Sequence, residues 1–392
     1  MTSLNPRMQT EPDRPSHATF RILHTEWSKG WGGQEQRILL ECRKMRERGH
    51  EVLIACQPGS GILEKALDQN LPVERVVIRG GFDPRAILTL RGIIRRERIQ
   101  VVHTHSGKDS WAAGFAAKLA GADLLVRSRH LAVPISNHPL NFVHRMADGI
   151  ITTGGAIRGT MIRDNGIDPS RIVSIATGVS LARFDPARAD GARIRAEFGM
   201  PPGALLVTMV AVLRSMKRHD LLLQAALRLR EKFSGIRFLL VGEGPCRQRI
   251  EQTILASGLS ADCLLAGHRD DIPDILAASD IVVLTSESEG VPQSLSQAMA
   301  MRRPVVASPV GGIPELVVDG RTGLIAETGN ADAFVHAIAR LASDPALRST
   351  LGEAAREHVL ADYTDEVMAR KTEEFYRHLL ALKSGAPPAS RP

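Results

Sequence analysis

Glu289 stands on a tight loop in the stretch Ser286-Glu287-Ser288-Glu289-Gly290-Val291-Pro292-Gln293-Ser294-Leu295-Ser296-Gln297-Ala298-Met299-Ala300, and a helix follows at once. Gln297 therefore lies on that helix, eight positions after the acid. A helix start offers unbonded backbone N–H groups and the positive end of a dipole, which together favour an anion such as phosphate. Gly290, Val291, Ser294 and Leu295 supply the backbone around that start. The Glu289 carboxylate and the Gln297 carbonyl can then accept from hydroxyls on either side of the phosphate. The layout suits a nucleotide-sugar: the sugar near Glu289, the diphosphate at the helix start, the ribose near Gln297. A second glycine-rich helix start, Gly30-Trp31-Gly32-Gly33-Gln34-Glu35, follows an apolar strand pattern near the N-terminus. Gly32 and Gly33 let the backbone approach a ligand closely, again at an end that favours phosphate.

The Glu289 stretch resembles the signature of the retaining glycosyltransferases of family 4, usually written E-G-F-G-x-x-x-L-E-A-M-A. Glu289, Gly290 and the run Ala298-Met299-Ala300 match it. Pro292 stands where a second Gly is usual, Gln297 replaces the second Glu, and Arg302 replaces a helix-ending Gly, a place that favours a left-handed residue. The resemblance extends from about Arg21 to Tyr376. It gives Gly32 and Gly33 a place beside the donor diphosphate and the acceptor. It makes Lys217 and Arg214 the cations that clamp the diphosphate, where negative charge develops as the leaving group departs. Gly242, in Gly242-Glu243-Gly244-Pro245, matches a strand-end turn. His268, in Ala266-Gly267-His268, matches a strand end beside the nucleobase, contacting through its backbone. His130 ends a first-domain strand, where the family often has a His donating to a sugar oxygen or to developing charge; His105 is a second candidate. Gly311-Gly312-Ile313-Pro314-Glu315 is a further family block, with Glu315 either structural or catalytic.

What must position these residues is a repeated alternation of apolar strands and helices. Strand patterns at Phe20–His24, Val52–Ala55, Val76–Ile78, Gln100–His103, Leu124–Val126 and Gly149–Thr152 precede a second series. That series runs Leu205–Val212, Arg237–Val241, Cys263–Leu265, Ile281–Leu284 and Pro304–Ala307. Apolar strands alternating with helices predict parallel sheets covered on both faces. The fold class is therefore α/β, with two doubly wound Rossmann-like domains facing across a cleft, the GT-B arrangement that the resemblance implies. Ligands then sit at the carboxyl ends of the strands. The expected organisation is a disordered tail over 1–17, an acceptor-side domain over 18–184 and a nucleotide-sugar-binding domain over 185–361. The resemblance implies that a helix over 362–383 returns to the first domain; a second disordered tail covers 384–392, and the linker lies near Phe184–Ala192.

The chain has 392 residues and a net charge of +7. Residues 1–184 hold 26 Lys and Arg against 17 Asp and Glu, a net of +9; residues 185–392 hold 24 against 26, a net of −2. A basic first half suits an anionic partner. Arg91, Arg95, Arg96 and Arg98 read either as a solvated helix face or as contacts to anionic lipid headgroups or a phosphorylated glycolipid. Aromatic residues make up 4% of the chain, too few for nucleic-acid stacking platforms. The four Cys form no C-x-x-C pair, which suits a reducing cytoplasm. No apolar run reaches the length of a membrane span. No D-x-D pair and no His/Cys/Glu spacing points to a metal, so no metal and no cofactor is expected.

The expected activity is metal-independent, retaining transfer from a nucleoside-diphosphate sugar to a glycan or lipid-linked acceptor, in lipopolysaccharide or other cell-envelope polysaccharide synthesis. It would take place in the cytoplasm, at the inner face of the membrane. No protein nucleophile is required: the family is thought to transfer the sugar on one face, with the leaving phosphate assisting proton removal. Two alternatives stay open from sequence, a non-catalytic nucleotide-sugar-binding subunit of the same fold and a sugar-nucleotide epimerase.

Overall fold

The computed structural model describes residues 19–130, 135–136, 138 and 141–385. The expected N-terminal tail lies outside these residues, as do residues 386–392. Ser384 and Gly385, assigned from sequence to the C-terminal tail, instead end and cap the last helix.

The first sheet is built from β1 (Arg21–Glu26), β2 (Glu51–Cys56), β3 (Val73–Arg75), β4 (Val101–Thr104), β5 (Leu124–Arg129), β6 (Gly149–Thr152) and β7 (Ile172–Ser174). The second is built from β8 (Leu205–Val210), β9 (Ile236–Val241), β10 (Cys263–Gly267), β11 (Ile281–Leu284), β12 (Val305–Ala307) and β13 (Leu324–Ile325). The orders are β3-β2-β1-β4-β5-β6-β7 and β10-β9-β8-β11-β12-β13. Neighbouring strands run parallel throughout, with Leu23 beside Leu53 and Val102, and Val282 beside Thr208 and Val305. Central strands such as Ile281–Leu284 are buried at every residue because helices cover both faces. The expected pair of doubly wound domains is therefore what the chain forms. In each sheet the strand order reverses between the first strand and its later neighbour, β1/β4 and β8/β11, so each domain opens a crevice there at the carboxyl ends.

One strand differs from the sequence reading. The apolar run Val76–Ile78 lies just past β3, whose paired residues are Val73–Arg75. Val76 N still donates to Cys56 O at 2.9 Å, but Ile78 N turns to the Gln57 side chain at 3.2 Å and Val77 is exposed. At a sheet edge, apolar character alone does not set register. The short outer strands β7 and β13 carry too little apolar sequence to stand out.

The two domains are tied by paired crossings. Val179 N donates to Tyr363 O at 2.8 Å, and Asp365 N to Val179 O at 3.0 Å. A Cβ on Gly178 would lie 2.5 Å from the Asp365 backbone, so only glycine lets the strands of this crossing touch. Phe184, at the start of the segment read as the linker, is buried in the second domain's core. The helix Asp365–Ser384, capped by the Thr364 side chain, buries Phe375, Tyr376 and Leu379 in the first domain's core beside Ile22 and Ile38. Arg48 fixes its outer face through Glu373, Nε to Oε2 at 2.7 Å.

Candidate active site

Glu289 and Lys217 meet. Lys217 Nζ is in direct contact with Glu289 Oε1, with side chains 20% and 9% exposed, so the pair borders solvent without being immersed in it. The meeting follows from topology, because the loops after the neighbouring strands β8 and β11 emerge side by side. Three further bonds zip them together. Thr285 Oγ1 donates to Lys217 O at 2.9 Å and to Arg218 O at 2.8 Å, and Glu287 N donates to Met216 O at 2.9 Å. Arg218 forks onto Asp220 and also pairs with Glu287, so it is a brace for this loop. From below, Gly311 holds a left-handed φ of 57°, and a Cβ there would sit 1.8 Å from Glu289 O. A side chain at 311 would push the Glu289 backbone out of place.

Pro292 precedes the helix Gln293–Ala300, and no side chain caps its first turn, so the N–H groups at this end stay available to an anion. Ser294 and Gln297 are half-buried on this helix, whereas Leu295 is fully buried in the core, so only its backbone can reach a ligand. The helix ends as the sequence reading required: Arg302 holds φ 58°, the left-handed position usually given to Gly.

The first domain closes on this loop at three places. Gln293 Nε2 donates to Gly33 O at 2.8 Å. Gly290 packs so near Thr153 that a Cβ would lie 2.9 Å from its Oγ1 and 3.5 Å from His130 O. Glu315 spans the cleft and accepts from Gly155 N at 2.8 Å and Ala156 N at 3.0 Å, capping the first-domain helix Gly155–Asn165, whose own N-cap is a glycine. Of the two roles left open for Glu315, the geometry supports the structural one.

His130 stands at the end of β5, half-buried, with His105 and His24 behind it. His105 Nδ1 lies 3.2 Å from His130 Nε2, and His105 Nε2 lies 2.9 Å from His24 Nδ1. His105 is 3% exposed with both ring nitrogens engaged, so its ring does not meet a substrate directly, contrary to its reading as a binding residue. Burial, then the neighbouring His103, push His24 down to about 3; burial likewise lowers His105, and burial and Arg37 lower His130, so these rings are neutral near pH 7. His24, His103 and His105 form the one group among the described residues with donor atoms close enough for a metal. Sequence spacing concealed it, because His24 comes from a different strand. Yet both His103 nitrogens are bonded, to Tyr376 OH at 2.7 Å and to Ser128 Oγ at 2.8 Å, so a metal there would have to displace one of these partners.

A buried acid at the end of β1 escaped the sequence reading. Glu26 accepts from Ser28 N at 2.7 Å and pairs with Gln34 of the Gly loop. Burial, reinforced by Asp109, pushes its carboxyl up to about 8. An acid directly before a glycine-rich helix start was the available signal.

The remaining residues separate. The Arg214 side chain is exposed and lines a hollow with His219, Asp220 and Arg249. His268 is exposed, its ring 3.6 Å from Asp270, leaving its backbone for contacts. Gly242 has a packing role. At φ 142°, a Cβ would lie 2.1 Å from Ala211 O, so glycine lets the β9 exit press against the loop that carries Lys217. Gly32 precedes the helix Gly33–Glu47 with extended backbone, the buried Glu35 in that helix's first turn.

Comparison with known proteins accords with this geometry. Residues 190–358 match the model of group 1 glycosyl transferases, and residues 31–183 match that of glycosyltransferase family 4. The chain is 25% identical over 388 residues to the UDP-Gal:alpha-D-GlcNAc-diphosphoundecaprenol alpha-1,3-galactosyltransferase of Escherichia coli, covering 94% of this chain and all of the relative. A glycosyltransferase structure from Rickettsia africae superposes with a TM-score of 0.83 at 22% identity, covering 93% of this chain and 99% of that one. The Anabaena protein HepE, in complex with UDP and glucose, superposes with a TM-score of 0.80 at 21% identity, covering 91% and 99%. With the two family matches together spanning most of the sequence, this chain belongs to the group 1 glycosyltransferases of family 4 and adopts their two-domain GT-B fold.

Proposed function

We propose that this glycosyltransferase moves a sugar, with retention, from a nucleoside diphosphate to a lipid-linked glycan acceptor in cell-envelope polysaccharide synthesis, without a metal. The observation that carries the reading is the Lys217–Glu289 contact beside an uncapped helix start. Those groups supply a cation and backbone donors for a diphosphate, and a carboxylate for sugar hydroxyls and for the positive charge of the transition state. Gln297 is the ribose acceptor. His130 donates to the sugar from the first domain, and Gly32 and Gly33 line the acceptor side. Closure of the domains around the Glu289 loop excludes water from the donor. The relative from Escherichia coli is named for a UDP-sugar donor and a diphosphoundecaprenol-linked acceptor, which makes that pair the first to try.

The membrane partner has a different face from the one read in sequence. Arg91 and Arg95 both donate to Leu119 O at 3.3 Å, and Arg96 pairs with Glu74 and Glu97, so part of that cluster's donor capacity is used within the protein. Instead, Phe82, Trp111, Phe115 and Phe142 form one surface cluster, with ring centroids 4.8 to 6.4 Å apart and Phe82 65% exposed. The exposed cations Arg85, Lys108 and Arg145 stand within three residues of these rings. Exposed aromatics flanked by cations suit the headgroup level of an anionic bilayer. Lys108 Nζ sits 3.9 Å over the Trp27 ring, at the end of β1, so this surface adjoins the acceptor side of the cleft. Among the described residues no helix is long and apolar enough to cross a membrane.

The test is transfer from a panel of UDP-, GDP- and ADP-sugars to a diphosphopolyprenyl-linked acceptor in excess EDTA, with the product's anomeric configuration read by NMR. Inversion, or transfer that stops on chelation, overturns the corresponding part; release of nucleoside diphosphate from no donor overturns the whole.

A further inference from the structure

The three stacked histidines behind the cleft do more than fill space. Each is a neutral imidazole with one N–H donor and one bare acceptor nitrogen. Their contacts run in series: His24 Nδ1 to His105 Nε2 at 2.9 Å, then His105 Nδ1 to His130 Nε2 at 3.2 Å. A neutral ring that donates from one nitrogen must accept at the other, so the direction of one bond fixes the direction of the next. The three tautomers are a single choice with two values, and that choice decides whether the remaining nitrogen of His130, Nδ1, carries a proton or a lone pair.

The far end of the series selects the value. His24 is fully buried, and its Nε2 has no hydrogen-bond partner among the described residues. A buried N–H without an acceptor is among the rarest features of folded proteins, whereas under-satisfied acceptors are tolerated more often. Glu41, the nearby carboxylate, faces Arg37 at 3.5 Å and His103 Nδ1 at 3.4 Å, and neither of its oxygens makes a hydrogen bond to His24 Nε2. The lone pair therefore belongs on His24 Nε2 and the proton on His24 Nδ1.

We propose that His24 and His105 are positioning residues that hold His130 in its Nδ1–H tautomer, so that a neutral donor, fixed in direction, faces the transferred sugar. His24 donates to His105, His105 donates to His130, and the one proton left to His130 lies on Nδ1. Free imidazole side chains prefer the Nε2–H form, so the series holds His130 in the less common state. An N–H at this place can donate to a sugar oxygen, whereas a lone pair repels it. The inference rests on the proposed reading that His130 faces the sugar, but its first test does not.

That test is the nitrogen chemical shifts of 15N-histidine-labelled protein, assigned with His24→Phe, His24→Asn and His105→Gln variants. Expected in the wild type is a His130 with the proton on Nδ1. His24→Phe removes the donor and should move His130 toward the Nε2–H form. His24→Asn can place an amide N–H where His24 Nδ1–H sits, and should keep the wild-type tautomer. Transfer should follow the tautomer: kcat falls ~100-fold in His24→Phe with the donor's KM within ~2-fold, and Asn restores most of it, as a wrong tautomer in an intact site does elsewhere. A wild-type His130 protonated on Nε2 overturns the proposal without any variant. So does a Phe variant that folds, with an unchanged melting temperature, and leaves the His130 shifts in place. A tautomer that moves while kcat stays constant overturns the role in transfer, whereas a wild type that transfers no sugar at all counts against the proposed function instead.

Discussion

Lys217 and Glu289 lie 72 positions apart in the chain, yet the ammonium of one touches the carboxylate of the other. Neither reaches this place alone. Thr285 pins the Lys217 loop from β11, and Gly311 sets the Glu289 backbone from the loop after β12. The pair is thus the product of three strand exits brought together at a topological switch point.

Because each partner orients the other, the two are expected to act as one unit. Lys217→Ala and Glu289→Gln should each lower kcat by about 10² to 10³, the size of losing one preorganised electrostatic contact at developing charge. The double variant should be little worse than the more damaging single one. Steady-state transfer rates of the four proteins decide it. A double variant whose loss equals the product of the single losses means that the residues serve separate steps.

Glu315 offers a test of the link between domains. Its two oxygens cap the helix Gly155–Asn165 across the cleft. Glu315→Ala removes a charged acceptor from a helix N-terminus, and should cost about 1 kcal/mol in urea unfolding. Glu315→Gln keeps one acceptor and loses less. Donor hydrolysis without acceptor should rise in the Ala variant, since the cap helps to hold the cleft closed. Unchanged stability and hydrolysis in both variants would show that the cap is idle.

The fold was legible because most strands carry an apolar run, and full burial on two faces writes itself into sequence as unbroken runs such as Ile281–Leu284. Arg302 was legible as a left-handed position because it stands where the resembled signature has a helix-ending Gly. The edge run Val76–Ile78 misled, since apolar residues beside an edge strand can pack without pairing. In the site, the local unit from Glu289 to Gln297 was visible because its chemistry lies within one helix turn of the loop. Arg214 came from the resemblance alone, and a 3-10 turn over Ser215–Lys217 separates it from Lys217. His24 contributes from β1 through its contact with His105, 81 positions along the chain, which no spacing in the sequence records, whereas Glu26 bonds the Gly loop just after it and was legible in principle.

Arg302 carries a measurable strain. A side chain at φ 58° costs about 1 kcal/mol relative to glycine. Arg302→Gly should therefore be more stable than Arg302→Ala by about 1 kcal/mol, even though Ala is the better helix former. Chemical denaturation of the two variants provides the comparison, which cancels loss of the exposed Glu353 contact because both lack it. Equal midpoints would mean that the backbone relaxes at no cost.

The buried histidines should make the fold acid-sensitive well above the carboxylate range. The folded His24 holds its proton affinity down at about 3, while an unfolded histidine takes a proton near 6.5. Below pH 6.5 the unfolded chain binds a proton that the folded one refuses, so this contribution is whole above 6.5 and is lost progressively toward 3. His144 and His219, pushed down by burial to about 3 and about 4, act in the same sense. Glu26, raised to about 8, acts oppositely, favouring the fold at low pH and losing that support between its ordinary value of 4.5 and 8. Between pH 7 and 4.5, His24→Asn should lose less stability than the wild type by on the order of 2 kcal/mol. Urea midpoints at the two pH values measure the difference, and parallel losses would remove His24 from the acid response.

The aromatic surface predicts where lipid is met. Burying one phenylalanine in an apolar environment is worth about 1.5–3 kcal/mol, and each cation near an anionic surface about 1 kcal/mol. Phe82→Ser should therefore weaken co-flotation with phosphatidylglycerol vesicles by about tenfold or more, and Arg85→Glu with Arg145→Glu by a similar factor that shrinks as salt rises. By contrast, Arg91→Gln and Arg95→Gln should change flotation little, since both guanidiniums are engaged with Leu119 O. Transfer to a short water-soluble acceptor should be unaffected in the Phe82 variant, because the rings lie outside the donor site, while transfer to a vesicle-borne acceptor should fall with flotation. If the Arg91 and Arg95 variants lose flotation and Phe82→Ser does not, the lipid-facing side is the basic helix and the aromatic cluster has another use.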